Sequence, residues 1–291
     1  MRLRPPATRR SHGSAEGPPA PPGARESTDF WDTTLDPWEG AWTALSHAHR
    51  ERIAPAPPAL EPRRVGGVLE AAVNFRRTAG RGVTAAAPYR FELAAWRRGL
   101  VRVAGVDEAG RGPLAGPVVA AAVVLRPGGV IDGVDDSKRL TPEERAQLFG
   151  QIQGGAMAVA VGIIDAATID RVNILEATRL AMRRALQGLA LEPELVLTDW
   201  VELAGLPCPQ RNLVRGDQRS ATVAAASIVA KVTRDRIMEQ ADREFPQYGF
   251  GRHKGYSTDE HRSALAKHGP CPLHRRGFRG VWSQGELFFW S

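Results

Sequence analysis

Beyond residue 100 the sequence predicts an α/β layered domain, and three observations support this. Short apolar runs rich in β-branched residues, typical of strands, lie at residues 101–106, 117–125 and 157–164. Segments with helical spacing lie at residues 168–189 and 222–245. Because strands and helices follow one another along the chain, we expect helices packed against a sheet.

The first two strands are expected to lie side by side. The link between residues 101–106 and residues 117–125 is rich in glycine, so the chain can turn back there. A Pro-Gly-Gly turn follows at residues 127–129. A helix is predicted to begin after Thr141, because residues 141–144 form a capping box with proline at the first helical position.

The later elements complete the pattern. Residues 157–164 are predicted to form another strand, and residues 195–198 a short buried one. The long helix at residues 222–245 is rich in alanine near its start. Such small side chains let a helix lie close against a sheet.

Composition is that of a basic globular protein. The chain has 291 residues, of which 43% are hydrophobic, and a formal net charge of +7. Its isoelectric point is about 10.1. This charge fits a polyanionic partner, above all nucleic acid, although a merely basic surface gives the same balance.

Cysteine usage and hydropathy set further limits. Cys208 and Cys271 could form one bridge at most, which excludes a disulfide framework. No apolar stretch approaches the roughly 20 residues that span a bilayer, and no apolar run follows the amino-terminal arginines as in a secretory signal. We therefore predict a cytoplasmic protein without membrane contact, and we expect a monomer.

Residues 1–64 are predicted to be a disordered extension rich in Pro, Ala and Arg, because such a composition buries too little apolar surface to offset the entropy of ordering. Four aromatic residues interrupt it, namely Phe30, Trp31, Trp38 and Trp42. They leave three interpretations open: a short helix or partner-binding segment, an unordered tail, or an assigned start too far upstream. Residues 65–98 are predicted to be partly helical.

Four carboxylates suggest a metal site. Asp107 and Glu108 follow the first strand just before glycines, Asp199 follows the strand at residues 195–198, and Asp235 lies on the long helix. Oxygen ligands without a Cys/His set favour hard cations such as Mg²⁺ or Mn²⁺. Two such ions roughly 3.5–4 Å apart can hold a phosphodiester in line, one activating the attacking water and the other stabilising the leaving oxygen. Taken singly, each carboxylate has the alternative role of a helix cap or a surface charge.

The glycines after Glu108 do not match a nucleotide-binding fingerprint. Residues 110–116 lack the Rossmann spacing, and no Gly-Lys-Ser/Thr follows for a phosphate-binding loop. Their expected use is the close approach of the backbone to a ligand.

Several blocks of the sequence, in order, closely resemble bacterial ribonuclease HII over roughly residues 90–282. The blocks are AGVDEAGRGPLAGPVV at residues 104–119, DSKRLT at residues 136–141, Gly216-Asp217, AAASIVAKVTRDR at residues 224–236, and YGFGRHKGY at residues 248–256 followed by His261. The resemblance implies a ribonuclease H-like fold with a mixed central sheet flanked by helices and a helical carboxyl-terminal part. It places the catalytic domain at residues 99–282.

The implied activity is endonucleolytic hydrolysis of the RNA strand of RNA–DNA hybrids. It includes cutting on the 5′ side of ribonucleotides embedded in DNA, which leaves 3′-OH and 5′-phosphate ends. By the same resemblance two Mg²⁺ or Mn²⁺ ions are held, with substrate bound, by Asp107, Glu108, Asp199 and Asp235.

The resemblance also implies nucleic-acid contacts. Gly110-Arg111-Gly112 would read the ribose 2′-OH, the group that separates RNA from DNA. Tyr256 would contact the ribonucleotide at an RNA–DNA junction. Three cationic residues would contact phosphates or lie as charges behind the site, namely Lys138, Lys231 and Arg234.

The chain departs from the family pattern at two glycine positions. Trp200 follows the third carboxylate and is expected to alter the rim of the site, and Ser257 follows Tyr256 and is expected to stiffen its loop. Asp217 is the alternative to Asp235 as the fourth ligand, although its Gly-Asp setting is more typical of a turn or cap.

Four histidines lie late in the chain, namely His253, His261, His268 and His274. With Cys271 they suggest zinc, but the pair Cys271 and His274 has no matching second pair, so zinc is not expected. Structural or phosphate-contact roles are expected instead.

Two other functions stay open at this point, ribonuclease HIII and a hybrid-binding protein without catalysis. The Gly-Arg-Gly run and the lack of an ordered-looking amino-terminal binding domain argue against the first, and the carboxylate set argues against the second.

In the tail at residues 283–291, Gln284, Leu287 and Phe288 resemble the Gln-x-x-Leu-Phe motif that binds bacterial sliding clamps. Packing of this apolar tail onto the domain is the equal alternative.

Overall fold

The computed structural model describes residues 88–134 and 137–282. The predicted disordered extension at residues 1–64, most of the segment at residues 65–98 and the tail with its clamp motif lie outside the described residues. The described part forms a five-stranded sheet flanked by helices, as the sequence predicts.

The sheet is mixed, and its strand order is β3-β2-β1-β4-β5. Antiparallel pairs join β1 to β2 and β2 to β3, whereas β4 pairs in parallel with both β1 and β5. The strands are β1 Val103–Ala109, β2 Val118–Val124, β3 Ala158–Ile164, β4 Leu195–Asp199 and β5 Gln210–Leu213. Parallel strands β1 and β4 therefore bring their carboxyl ends to the same edge.

Helices cover both faces of this sheet, and two more pack at the carboxyl end of the longest one. Those on the sheet are α1 Arg90–Trp96, α2 Pro142–Gly155, α3 Ala166–Val172, α4 Ile174–Gln187 and α5 Ala221–Glu244, and the two beyond it are α6 Phe250–His253 and α7 Asp259–His268. The predicted capping box is confirmed, since the Thr141 hydroxyl accepts from the N–H of Glu144, and the Glu144 carboxylate accepts from the N–H of Thr141.

Two apolar layers hold the helices to the sheet. One face, with Val103 and Leu197, packs against α1, α2 and α5, and the other face, with Val106, packs against α3 and α4. At Gly105 a Cβ atom would collide with the backbone of Thr222, so α5 lies directly on β1. This close contact fits the run of alanines at the start of α5.

The structure differs from the sequence-based expectation in three elements. Strand β1 does not end at residue 106 but includes Asp107 and Glu108, which pair with Ala121 and Ala120 of β2. The predicted helix at residues 168–189 is two helices, because Asn173 adopts φ 72° and its side chain accepts from two N–H groups at the start of α4. Strand β5 was not predicted, because its sequence is largely polar.

Helix α1 belongs to the same core as the sheet. Its residues Phe91, Leu93 and Trp96 are buried. Glu92 is fully buried and accepts hydrogen bonds from the N–H and the hydroxyl of Thr222, at 2.9 and 2.8 Å, and from the hydroxyl of Ser220. The Glu92 carboxylate thus caps the first turn of α5, and burial raises its pKa.

Candidate active site

Two carboxylates lie at one edge of the sheet because β1 and β4 are parallel neighbours. Val106 pairs with Thr198, and Asp107 and Asp199 are the next residues on the two strands. The carboxyl ends of parallel strands are a common position for chemistry in α/β sheets. The structure therefore brings together two of the four predicted metal ligands by register alone.

Asp107 and Glu108 carry charges that the protein environment disfavours. The pKa of Asp107 lies well above its usual range. Burial raises it most, followed by the negative charge of Glu108 and then by those of Asp199 and Asp217. Burial also raises the pKa of Glu108, against the opposing effect of Arg111. The N–H of Glu108 donates to the Asp107 carboxylate at 2.8 Å. Like charges crowded in a buried place are typical of functional sites.

Asp199 is fixed by the segment after β5. Its carboxylate accepts a hydrogen bond from the N–H of Gly216 at 3.0 Å. Gly216 lies so close that a Cβ atom there would be 3.3 Å from the Cα of Asp199. The next residue, Asp217, is buried, acts electrostatically on Asp107, and forms an ion pair with Lys138 at 3.6 Å.

Asp235 lies on α5 and is held by an ion pair on its own helix. The Lys231 ammonium donates to its carboxylate at 2.7 Å across one helical turn. The carboxylates that raise the pKa of Asp107 are those of Glu108, Asp199 and Asp217. Asp217, the alternative fourth ligand, is therefore one of the carboxylates that act on Asp107.

The site's chemistry fits divalent cations, although its side chains do not form a coordination shell as they stand. Within residues 88–134 and 137–282, no three His, Cys, Asp or Glu side chains are close enough together to hold a metal ion. One oxygen of Glu108, Oε2, is nevertheless buried without a hydrogen-bond partner. An all-oxygen donor set with a buried, unpaired carboxylate oxygen and strong mutual repulsion suits a hard cation.

The glycine loop, residues 110–117, connects β1 to β2 and is held by two fully buried arginines. Both guanidinium groups are fully buried. Arg275 donates to the carbonyl oxygens of Gly110, of Arg111 at 2.9 Å and of Gly116 at 3.0 Å. Arg234 donates to those of Pro117 at 3.0 Å and Ala115 at 3.1 Å.

This clamp fixes the loop with its carbonyls facing inward. Gly110 adopts φ 93°, and a Cβ atom there would collide with the Arg234 side chain, so glycine is required. Burial and the neighbouring Arg234 lower the pKa of Arg275 to about 9. Because Arg234 is fully buried, it is a charge behind the site and does not reach solvent to contact phosphate directly.

Arg111 lies between a carboxylate and an aromatic ring. Its guanidinium is 3.5 Å from Glu108 Oε1, and its Cζ is 4.3 Å from the ring centroid of Trp200. Trp200 adopts φ 28°, a region that favours glycine, and 45% of its surface is exposed. At the rim of the site, where the sequence predicts a change, Trp200 thus has a strained backbone and its ring stacks on Arg111.

Tyr256 is 44% exposed and lies over the clamp, with Arg234 Cζ 5.8 Å from its ring centroid. Ser257 holds the same loop to α7, because its carbonyl and hydroxyl oxygens accept from Arg262 at 2.7 and 3.0 Å. The structure therefore supports the expectation that Ser257 ties down the segment carrying Tyr256.

Two buried histidines, His274 and His261, form a hydrogen-bonded chain to the Tyr256 carbonyl, and a third, His253, stacks on it. The N–H of Cys271 donates to His274 Nδ1 at 2.9 Å, so the proton of neutral His274 lies on Nε2. That nitrogen donates to His261 Nε2 at 3.0 Å, and His261 Nδ1 donates to the Tyr256 carbonyl at 2.9 Å. His253, stacked on His261 at 4.5 Å, accepts from the N–H of Gly255. His253, His261 and His274 thus have structural contacts, which is one of the two expected roles, whereas His268 is exposed.

Arg275 and Glu92 are two supporting residues that sequence reasoning missed. Arg275 is remote in sequence from the loop it holds, and Glu92 lies before the blocks that carry the family resemblance. The only local signal was charge placed among apolar residues, as in Phe91-Glu92-Leu93.

Comparisons with known proteins identify the family of this chain. The ribonuclease HII family profile matches residues 104–282. The chain belongs to the ribonuclease HII family. It is 54% identical over 193 residues to ribonuclease HII of Geobacter metallireducens, covering 66% of this chain and 91% of that protein.

Solved structures show the same fold. Ribonuclease H2 of Pyrococcus horikoshii aligns with a TM-score of 0.55 at 30% identity, over 62% of this chain and 95% of that one. The ribonuclease HII of Archaeoglobus fulgidus, solved in a complex with PCNA, aligns with a TM-score of 0.51 at 27% identity, over 61% and 95% of the two chains. Ribonuclease HII enzymes are metal-dependent endonucleases of the ribonuclease H class. No helix in the described ranges is long and apolar enough to cross a membrane.

Proposed function

We propose that this ribonuclease HII cuts RNA paired to DNA at the edge formed by β1 and β4, and that it cuts on the 5′ side of ribonucleotides embedded in DNA. The observation that carries this proposal is the continuity of β1 with the glycine loop. Gly110 and Arg111 are the second and third residues after Glu108. One short segment thus joins the carboxylates to the proposed reader of the 2′-OH.

Asp107, Glu108, Asp199 and Asp235 are the proposed metal ligands. Two Mg²⁺ or Mn²⁺ ions held by these carboxylates would supply activation of a water and stabilisation of the leaving 3′ oxygen. The chain itself provides no nucleophile for the reaction. Its carboxylates hold negative charge in a buried place, and the segment after β5 fixes Asp199 through the Gly216 N–H.

The glycine loop and Tyr256 would select the substrate. The inward-facing carbonyls are occupied by Arg234 and Arg275, whereas in the described residues the N–H groups of Arg111 and Gly112 donate to no protein acceptor. Gly112 has open space around it, so a sugar can approach the backbone there. A 2′-OH can accept from such groups, and a deoxyribose cannot.

A cleavage assay tests this function. The substrate is a DNA duplex with one embedded ribonucleotide, with Mg²⁺ or Mn²⁺, and the expected product carries a 3′-OH immediately 5′ of the ribonucleotide. Asp107→Asn should abolish cutting, and the all-DNA duplex should stay intact. If the wild-type protein binds the duplex but cuts it with neither metal, the chain is a binding protein and the proposal fails.

A sliding clamp is the proposed protein partner, bound through Gln284, Leu287 and Phe288. The related enzyme of Archaeoglobus fulgidus was solved in a complex with PCNA, which supports the idea for this family. A pull-down with the clamp should succeed with the full chain and fail with a chain ending at residue 283. Equal capture of both chains would contradict the proposal. The cytoplasmic location and the monomeric state stay predictions.

A further inference from the structure

An exposed rim beside the active site is formed by Trp200, Val214 and Arg215, which we name the β4–β5 rim. Trp200 is 45% exposed and Val214 is 72% exposed. Asp199 pairs with Leu213, and the two exposed residues come directly after this pair. The register therefore places Trp200 and Val214 each one residue beyond the last pair of β4 and β5, at the edge of the sheet that carries Asp199.

The backbone of this rim is strained at two positions. Trp200 adopts φ 28° and Arg215 adopts φ 55°, and neither residue is a glycine. Both lie beside Asp199, a proposed metal ligand, since Trp200 follows it and Arg215 precedes Gly216, whose N–H donates to the Asp199 carboxylate. Strain of this kind persists where the surrounding structure fixes it, and it concentrates at sites that bind ligands.

Positive charge surrounds the apolar surface of the rim. The guanidinium of Arg111 lies against the Trp200 ring, and Arg219 donates to the carbonyl oxygen of Val214 at 3.0 Å. Arg215 itself is exposed. Apolar side chains interleaved with arginines suit a polyanion with apolar sugar faces, which is the surface of a nucleic-acid duplex.

We propose that the β4–β5 rim is a second nucleic-acid contact, which holds the duplex flanking the scissile ribonucleotide. Trp200 and Val214 pack on the sugars of the backbone, and Arg215 pairs with one phosphate. The rim is continuous with Asp199 on one side and with Arg111 on the other, so a duplex whose ribonucleotide lies at the glycine loop extends across it. This inference rests on the proposed function, because it takes the same substrate.

Binding measured without cleavage tests the rim. Fluorescence anisotropy in EDTA follows the full chain on a labelled duplex with one embedded ribonucleotide. Trp200→Gly relieves the strain and removes the ring, and it should raise Kd about tenfold, as expected for the loss of one aromatic contact. Val214→Ser, which does not touch Arg111, should raise Kd about threefold, less than an aromatic contact is worth.

Salt dependence separates the charged contact from the apolar ones. Arg215→Asn tolerates the left-handed backbone, and it should reduce the slope of log Kd against log salt by about 0.9, the value for one phosphate. Trp200→Gly and Val214→Ser should leave that slope unchanged. Leu180→Ser is the matched control, because Leu180 is a comparably exposed apolar residue on α4, and its Kd should equal that of the wild type.

Several outcomes overturn the proposal. If Kd is unchanged for all three rim variants, the rim does not contact the duplex. If Trp200→Gly lowers the cleavage rate but leaves Kd unchanged, Trp200 acts only through Arg111 and the proposal fails. If the wild type sediments as a dimer and the rim variants sediment as monomers, the rim is an interface between copies of this chain and the proposal fails. Because the anisotropy is measured without metal, failure of the rim stays distinct from a failure of wild-type cutting.

Discussion

Arg275 donates a hydrogen bond to the carbonyl oxygen of Gly110, so a residue beyond the last helix fixes the loop at the end of β1. The same guanidinium binds the carbonyls of Arg111 and Gly116. A planar group with five donors can satisfy three carbonyls at once, and an ammonium on a flexible chain cannot do so in the same geometry.

Arg275→Lys tests this clamp. We expect the free energy of unfolding to fall by about 3 kcal/mol, because buried carbonyls lose their donors at about 1–3 kcal/mol each. Cleavage of a single embedded ribonucleotide should fall more than cleavage of a long hybrid, because a loosened loop reads one 2′-OH less well. Urea denaturation and the two cleavage rates measure this, with the exposed Arg279→Lys as control. Equal losses on both substrates would show that the clamp serves stability alone.

Asp107→Asn is expected to separate stability from activity. Burial, Glu108 and Asp199 raise the pKa of Asp107, so its ionised form destabilises the folded protein. In EDTA the variant should melt at a higher temperature than the wild type. The gap should widen as pH rises from the ordinary pKa of an aspartate to the raised pKa of Asp107 and then stay constant, because only between these two values does the folded protein hold a proton that the unfolded chain has lost.

Activity should change in the opposite direction. Losing a ligand that supplies several kcal/mol of transition-state stabilisation lowers the cleavage rate about a hundredfold or more. The exposed Glu192→Gln serves as the control for the melting temperature. A lower melting temperature for Asp107→Asn in EDTA would contradict the crowding of charge at this edge.

Asp235 is the proposed fourth metal ligand and Asp217 is its alternative, and binding of Mn²⁺ separates the two assignments. We expect Asp235→Asn to weaken Mn²⁺ binding about tenfold or more, in the range seen when a metal site loses a supporting group. Asp217→Asn should have a smaller effect, because that carboxylate already pairs with Lys138. Isothermal titration without nucleic acid gives both constants. The reverse order would assign the fourth ligand to Asp217.

The histidine chain makes the protein sensitive to acid. Burial and the neighbouring His261 lower the pKa of His274 to about 4. As pH falls below about 6.5, His274 therefore gains a proton in the unfolded chain but not yet in the folded protein. The free energy of unfolding is thus highest above that pH and decreases as pH falls towards 4. The loss amounts to at most about 3 kcal/mol.

Urea denaturation at about pH 7.5 and about pH 5 measures this effect. His274→Phe fits among the rings of Tyr248 and Phe250, and it should be less stable at the higher pH but show a flatter pH dependence. An unchanged pH dependence in the variant would show that another group carries the acid sensitivity.

Strands and helices with a local pattern were predictable, and elements without one were not. β1 and β2 are apolar on both faces because helices cover the sheet, and Thr141 marks the start of α2. β5 pairs on one side only, with β4, so its residues stay polar and give no strand signal. The helix break at Asn173 depends on one residue with a positive φ, within a run of continuous helical spacing.

The site divides in the same way. Asp107 and Asp199 were predictable because each directly follows an apolar run. Arg275 could not be placed from the sequence, since it lies 159 residues from Gly116, and only the folded chain brings them together. The metal roles of all four carboxylates stay predictions that the assays above address.

The cap that Glu92 forms on α5 limits how far this enzyme can be truncated from its amino terminus. The match to the family begins at residue 104, but α1 and its carboxylate lie before that point. A gene shortened to the boundary of the match would yield a protein whose longest helix, the one that carries Asp235, starts with unpaired N–H groups and an uncovered core. Truncations meant for crystallisation or fusion should therefore retain the chain from Pro88 onward, since the Pro88 carbonyl also accepts from the N–H of Ala221.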